Sequence, residues 1–148
     1  MPALLSTNIL LDPQNPQVGG TNDKGKIKDF NNAFNEAVSR LDNEACAKLF
    51  GGKDAALKAL RGANYSYQDL DRATKDPNTG AISAVGAATN SATNTPSVYI
   101  NNYGPFRNTT VLVVTSGGVE SHTFDFGTKL RGAQFGGLLL LHELGHLV

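Results

Sequence analysis

The sequence lacks an excess of positive or negative charge, and this balance limits the kinds of molecule that the protein can bind. Thirteen basic and thirteen acidic residues among 148 give a formal net charge of zero. Proteins that bind nucleic acids need a basic surface or tail to neutralise phosphates, and this composition supplies neither. We therefore expect no nucleic acid among the partners.

Cysteine is almost absent. Cys46 is the only one in the sequence, which excludes an internal disulfide and a cluster of thiolate metal ligands. It lies between Ala45 and Ala47 in a helical pattern, so we predict a buried, inert thiol.

Apolar runs long enough to cross a bilayer are also missing. The longest run, near the C-terminus, is far shorter than the roughly 20 residues required and contains Glu143. We expect neither a membrane helix nor a membrane partner. Residues 1–11 are apolar in patches, but polar residues interrupt them and no basic residue precedes Lys24, so they do not match a secretory signal peptide. The cellular compartment stays open.

Tryptophan is absent and aromatic residues make up only 7% of the chain, whereas glycine is abundant, a balance that favours loops and short elements. The length and the 40% of hydrophobic residues suit one domain with a modest core. Residues 12–25 are rich in Pro, Gly, Asn and Gln. We therefore assign residues 1–25 to an extended N-terminal segment and 26–148 to a single α+β domain.

Helices are predicted in the first half of the chain. Apolar residues recur at spacings of three and four from residue 27 to residue 41, the stripe of an amphipathic helix. Shorter helices are predicted at 43–50 and 54–60, separated by Gly51 and Gly52, with one or two further turns at 65–73. Since none of them carries a cluster of titratable residues, we interpret them as scaffold.

Residues 74–96 contain few large apolar side chains. A long loop of this kind is either a lid over a site or a disordered connector. We favour the connector because the segment has too little charge and too few aromatic residues to bind a ligand. Strands rich in Val and Thr are predicted next, at 98–101, 109–115 and 119–126, with a turn at 117–118. Helices followed by a small antiparallel sheet and a C-terminal helix predict an α+β fold.

The most informative pattern closes the chain. We expect the first turn of a final helix between residues 128 and 134, and residues 135–148 carry leucines on every side of this helix, which is typical of a buried helix. Within it, His142 and His146 are four positions apart, so both imidazoles lie on one face and can bind a single ion. Burying these groups and Glu143 is costly without hydrogen bonds, an opposite charge or a metal. We therefore predict a zinc site.

Glu143 would lie beside the metal and not on it. From there its carboxylate can take a proton from an activated water and pass it to a leaving group, the general base and acid role in metal-assisted hydrolysis. The alternative is that both histidines are ordinary helix residues near an exposed chain end and that Glu143 is solvated.

The string His142-Glu143-Leu144-Gly145-His146 resembles the active-site helix of the zincin metallopeptidases, and most closely the metzincin branch. This resemblance implies that His142 and His146 bind Zn²⁺ and that Glu143 is the catalytic base in hydrolysis of a peptide or protein substrate. It also implies a zincin-like domain in which an edge strand of the sheet, here 109–115 or 119–126, pairs with the substrate.

A catalytic zinc usually has three protein ligands and one open position. In the metzincins the third ligand follows the motif, so we expect it beyond Val148. The sequence would then be a fragment of a longer protein, or a relative of the family that lost its downstream half. His122, Glu120 and Asp125 are the upstream alternatives. We interpret His122 as a polar residue on a strand face. The remaining hypothesis is a non-catalytic binding or structural domain with an incomplete metal site.

Overall fold

The computed structural model describes residues 15–92, 94–125 and 130–148. Residues 1–14 of the expected N-terminal segment, residue 126 of the expected last strand and residues 128–129 of the expected final helix lie outside this part of the chain. The described elements are, in order, α1 (Lys24–Arg40), α2 (Glu44–Lys48), α3 (Lys53–Gly62), β1 (Asn64–Gln68), β2 (Ala73–Lys75), β3 (Ile82–Ser83), β4 (Ala87–Asn90), β5 (Ser97–Asn101), β6 (Thr110–Thr115), β7 (Gly118–Thr123) and α4 (Ala133–Leu147).

The three helices expected in the first half are confirmed. Asp23 caps α1, since its Oδ1 accepts hydrogen bonds from the backbone N–H groups of Gly25 and Lys26 at 2.8 and 3.1 Å. The apolar stripe faces inward, and Phe30 and Phe34 are completely buried. The turn between α2 and α3 contains Gly51 and Gly52, both with positive φ, a conformation that glycine adopts without strain.

The helical turns expected at 65–73 are wrong, because this segment contains β1. Its residues alternate between exposed and buried, and Tyr65 and Tyr67 face the core. The Tyr65 ring packs against Phe30 and Phe34 of α1 at centroid distances of 5.3 and 5.6 Å. Aromatic residues that alternate in this way favour a half-buried strand over a helix.

The strands form two small mixed sheets. The first has the order β1-β5-β4, with β1 parallel and β4 antiparallel to β5. The second has the order β3-β2-β6-β7, in which β6 and β7 form the expected antiparallel hairpin but β2 runs parallel to β6. The α+β class is confirmed, whereas the expectation of one antiparallel sheet is wrong, because strands distant in the sequence pair in parallel.

The disordered connector expected at 74–96 is also wrong, since this segment contains β3, β4 and the end of β2. Its described residues are exposed or half-buried, and close packing is found at Gly86. A Cβ atom on Gly86 would lie only 2.9 Å from Leu139 Cδ1 of α4. The absence of a side chain at Gly86 therefore allows α4 to approach this segment.

Helix α4 packs along α1 at close range. A Cβ atom on Gly136 would lie 2.9 Å from the Cβ of Ala33, and one on Gly137 would lie 2.9 Å from the Cβ of Glu36. Both glycines allow the two backbones to approach. No helix in the described part of the chain combines the length and the apolar character needed to traverse a bilayer.

Candidate metal centre

Helix α4 carries the predicted metal-binding motif, residues 142–146. It begins at Ala133, inside the region where its first turn was expected. Leu140 and Leu144 are completely buried on the side that packs against α1 and the first sheet. The face formed by Leu138, His142 and His146 is exposed, because neither α1 nor β4 covers it.

The two histidines are therefore not buried, contrary to the expectation from the apolar sequence. The His142 side chain is 70% exposed, whereas the Glu143 side chain is only 5% exposed. The reason is that α4 lies at the edge of the core, so the leucines on its outer side border a cavity instead of packed protein. The alternative of a solvated Glu143 is also wrong.

The motif side chains converge. The ring centroids of His142 and His146 are 5.4 Å apart, with the ring planes inclined at 73°. One nitrogen of each ring and one oxygen of Glu143 all lie within 4.8 Å of one another. This arrangement follows from helical geometry, in which residues four apart are neighbours on one face. A single cation can therefore contact both rings.

Glu143 is held in place by a residue of the first sheet. Thr89 Oγ1 of β4 donates a hydrogen bond of 2.7 Å to Glu143 Oε1. The other carboxylate oxygen, Oε2, lies 4.0 Å from His142 Nε2. One oxygen is thus anchored, and the other lies beside the imidazole pair.

A cavity of about 1140 Å³ adjoins the motif. Its walls come from α2, from the segment that leads into β4 and from the outer face of α4. Leu49, Phe50, Val85 and Leu138 are among the apolar residues that line it, together with Cys46, which is half-buried. The thiol is therefore less buried than expected.

The upstream candidates for a third ligand do not join the cluster. His122 lies on β7, as expected for a residue on a strand face, and its ring packs edge-to-face against Phe124 at 4.8 Å. Glu120 forms an ion pair with Lys75 at 3.1 Å. Among the described residues, only His142, Glu143 and His146 form a group with the spacing of metal ligands.

The strand next to the motif is β4, and not either of the strands expected at the sheet edge. β6 is flanked on both sides by β2 and β7, so it has no free edge. β7 is an edge strand, but of the second sheet. β4 is an edge of the first sheet and contacts α4.

Sequence reasoning missed Thr89. It precedes Glu143 by 54 positions and lies in a segment without regular hydrophobic spacing, so no local pattern indicates its role. Comparison of the chain with protein-family models, with curated proteins and with solved structures gives no match in any of the three. The functional assignment therefore depends on the geometry of the site.

Proposed function

We propose that this protein is a zinc-dependent hydrolase of the metallopeptidase type. The observation that carries the proposal is the convergence of His142, Glu143 and His146 within 4.8 Å, with Glu143 buried and anchored. The resemblance of the same five residues to the zincin helix supports it.

The residues present fit a divalent transition metal. Two exposed imidazoles on one helical face provide nitrogen donors of the kind that zinc prefers. His142 and His146 would hold the ion at the border of the cavity. Zinc bound there supplies Lewis-acid activation of water and of the substrate carbonyl.

Glu143 would move the proton. Its Oε2 lies on the side of the imidazoles, where it can accept a proton from the attacking water and later deliver it to the leaving amine nitrogen. Thr89 fixes the carboxylate through Oε1, which leaves Oε2 for this transfer. The buried environment limits the side chain to one orientation.

The substrate would be a peptide or protein segment that pairs with β4. This strand has β5 on one side only, so its other edge offers backbone N–H and C=O groups for β-augmentation. Thr89 belongs to this strand and contacts Glu143. A peptide along β4 would therefore pass close to the proposed base.

The metal assignment is tested by measuring the zinc content of the purified full chain and of the double variant His142→Ala, His146→Ala. We expect stoichiometric zinc in the parent and its loss in the variant. His122→Ala is the matched control, since His122 lies outside the cluster, and it should keep its zinc. Equal zinc in the parent and the double variant would refute the metal site.

The catalytic assignment is tested with Glu143→Gln, which preserves the shape of the side chain and an acceptor for Thr89. We expect peptide hydrolysis to fall at least about 100-fold, the lower range for general acid-base catalysis, with zinc retained. Loss of zinc would instead identify Glu143 as a metal ligand. Hydrolysis at the rate of the parent would contradict a catalytic role.

A non-catalytic domain with an incomplete metal site is the second candidate. It is favoured by one observation. Among the described residues, the cluster contains His142, His146 and Glu143 and no further group that could bind the metal. A catalytic zinc normally has three protein ligands. Zinc binding without hydrolysis of any peptide in a mixed library would favour this candidate, whereas turnover that requires Glu143 would exclude it.

A further inference from the structure

The cavity beside the motif is lined almost entirely by apolar side chains. Among the described residues that border it there is no Lys, Arg or Asp, and the ionisable groups of the metal motif stand along one wall. Cys46 of α2 also borders the cavity, together with Leu49 and Phe50, which follow the end of this helix. Away from that wall, the lining offers apolar surface and no charged partner to an entering side chain.

Two leucines at this cavity are exposed in a way that internal packing does not explain. Leu49 is 78% exposed and Leu138 is 38% exposed. Leu49 directly follows α2, Leu138 lies on α4, and both residues border the same space. Together they present apolar surface that a ligand can remove from water.

The cavity is large enough to hold more than one side chain of a bound peptide. Its volume of about 1140 Å³ lies slightly above the range for pockets that bind small molecules, roughly 300 to 1000 Å³. It is continuous with Glu143 and with the beginning of β4, where a peptide backbone would find hydrogen bonds. An extended segment can therefore place neighbouring side chains in the cavity while its backbone follows the strand.

We infer that the cavity between α2 and α4 selects peptides with bulky apolar side chains, such as Phe and Leu, beside the bond that is cut. The inference rests on the proposed function for the meaning of that bond. Leu49 and Leu138 are the specificity-determining residues, because they form exposed apolar surface at the space that the side chains would enter.

Cys46 supplies a test that needs neither zinc nor hydrolysis. It is the only thiol in the chain and lines the cavity, so its alkylation by iodoacetamide reports whether the cavity is occupied. The experiment measures the alkylation rate in the zinc-free full chain with a blocked tetrapeptide that has Phe and Leu at its centre. A second tetrapeptide with Ser and Asn at those positions is the matched probe.

We expect the Phe-Leu peptide to slow alkylation about fourfold when present at three times its dissociation constant, because about one quarter of the protein is then free. The Ser-Asn peptide at the same concentration should leave the rate unchanged. Equal protection by both peptides, or protection by neither, would overturn the inference.

Leu49→Gln and Leu138→Gln should each weaken the protection by the Phe-Leu peptide at least threefold, relative to the rate of each variant without peptide. Leu112→Gln is the control, because Leu112 is 57% exposed but does not border this cavity. Unchanged protection in both cavity variants would also overturn the inference. All these rates are measured without zinc and without hydrolysis, on proteins that keep both motif histidines and Glu143, so the two proposals fail independently.

Discussion

Thr89 Oγ1 donates a hydrogen bond of 2.7 Å to Glu143 Oε1, and this contact joins an edge strand to the helix that carries the metal motif. It gives a buried carboxylate a partner, which a buried charge requires. It also fixes the position of β4 relative to α4. The same contact thus connects the proposed base with the strand proposed to bind the substrate.

Replacing this hydroxyl should affect stability and hydrolysis together. Thr89→Val keeps the shape of the side chain but leaves the buried carboxylate without its donor, which should cost about 1 to 3 kcal/mol of unfolding free energy. For the proposed hydrolysis, kcat should fall by a larger factor than KM rises, since the base loses its orientation. Urea unfolding and steady-state kinetics measure the two effects.

Thr89→Ser restores the hydroxyl and should recover most of the lost rate. Thr74→Val is the control, since Thr74 is an exposed threonine on β2, and it should change neither quantity. A Thr89→Val protein with the stability and rate of the parent would show that the hydrogen bond is dispensable.

The glycines of α4 should respond in opposite directions to alanine. Gly136→Ala and Gly137→Ala introduce a Cβ atom 2.9 Å from α1, and such overpacking should cost about 1 to 3 kcal/mol. A Cβ atom on Gly145 meets nothing within 4 Å. Gly145→Ala should therefore stabilise the protein by up to about 1 kcal/mol through helix propensity.

Thermal or urea unfolding of the three alanine variants checks this order. Destabilisation by Gly145→Ala equal to that of the other two would show that the open space beside α4 is occupied. Because Gly145 borders the cavity, a stabilised Gly145→Ala variant with a raised KM would indicate that the substrate passes close to the helix backbone.

Asn101, the last residue of β5, bonds through all of its polar side-chain atoms to the chain segments that connect the two sheets. Its Nδ2 donates to the backbone oxygens of Asp71 and Val85 at 2.7 and 2.8 Å, and its Oδ1 accepts from the N–H groups of Leu70 and Tyr103 at 3.0 and 3.1 Å. The side chain is buried. Asn101→Ala should lower the unfolding free energy by about 2 to 4 kcal/mol, because several backbone groups lose their partner.

Asn101→Asp retains the acceptor but lacks the two donors, so it should also be destabilising. Asn102→Ala is the matched control at the neighbouring, exposed position, and it should have a small effect. Chemical denaturation of the three variants gives the comparison, and similar losses for Asn101→Ala and Asn102→Ala would contradict the proposed role of Asn101.

Asp23 should make the stability of α1 depend on pH. The backbone N–H groups of Lys26 and Gly25 hold the pKa of its carboxyl below the usual value, and Arg107 acts in the same direction. A lowered pKa in the folded state contributes stability above the unfolded pKa of about 4, and this contribution is lost as the pH falls through the folded value.

Asp23→Asn keeps the capping oxygen but cannot ionise, so the parent should lose stability relative to this variant between pH 5 and pH 3, a window set by the ordinary carboxyl pKa of about 4. Asp23→Ala removes the cap and should be less stable than both at pH 7. Urea unfolding at several pH values gives the comparison. Parallel pH profiles for the parent and Asp23→Asn would contradict the prediction.

Several elements were predictable because their information is local. The stripe that ends at Leu41 specifies α1, since helical spacing alone decides which side chains share a face. The same rule brings His142 and His146 together on α4. Strand alternation likewise identifies β6 and β7 without knowledge of the rest of the chain.

The sequence by itself determined that two imidazoles share one helical face, because a turn of helix fixes the separation of residues four apart. Only the tertiary structure decided that Glu143 is buried while both histidines face a cavity, that Thr89 holds the carboxylate and that β4 is the edge strand beside them. The physical reason is that burial and pairing depend on which elements meet in space. Small residues such as Gly86 permit that contact without leaving a hydrophobic pattern in the sequence.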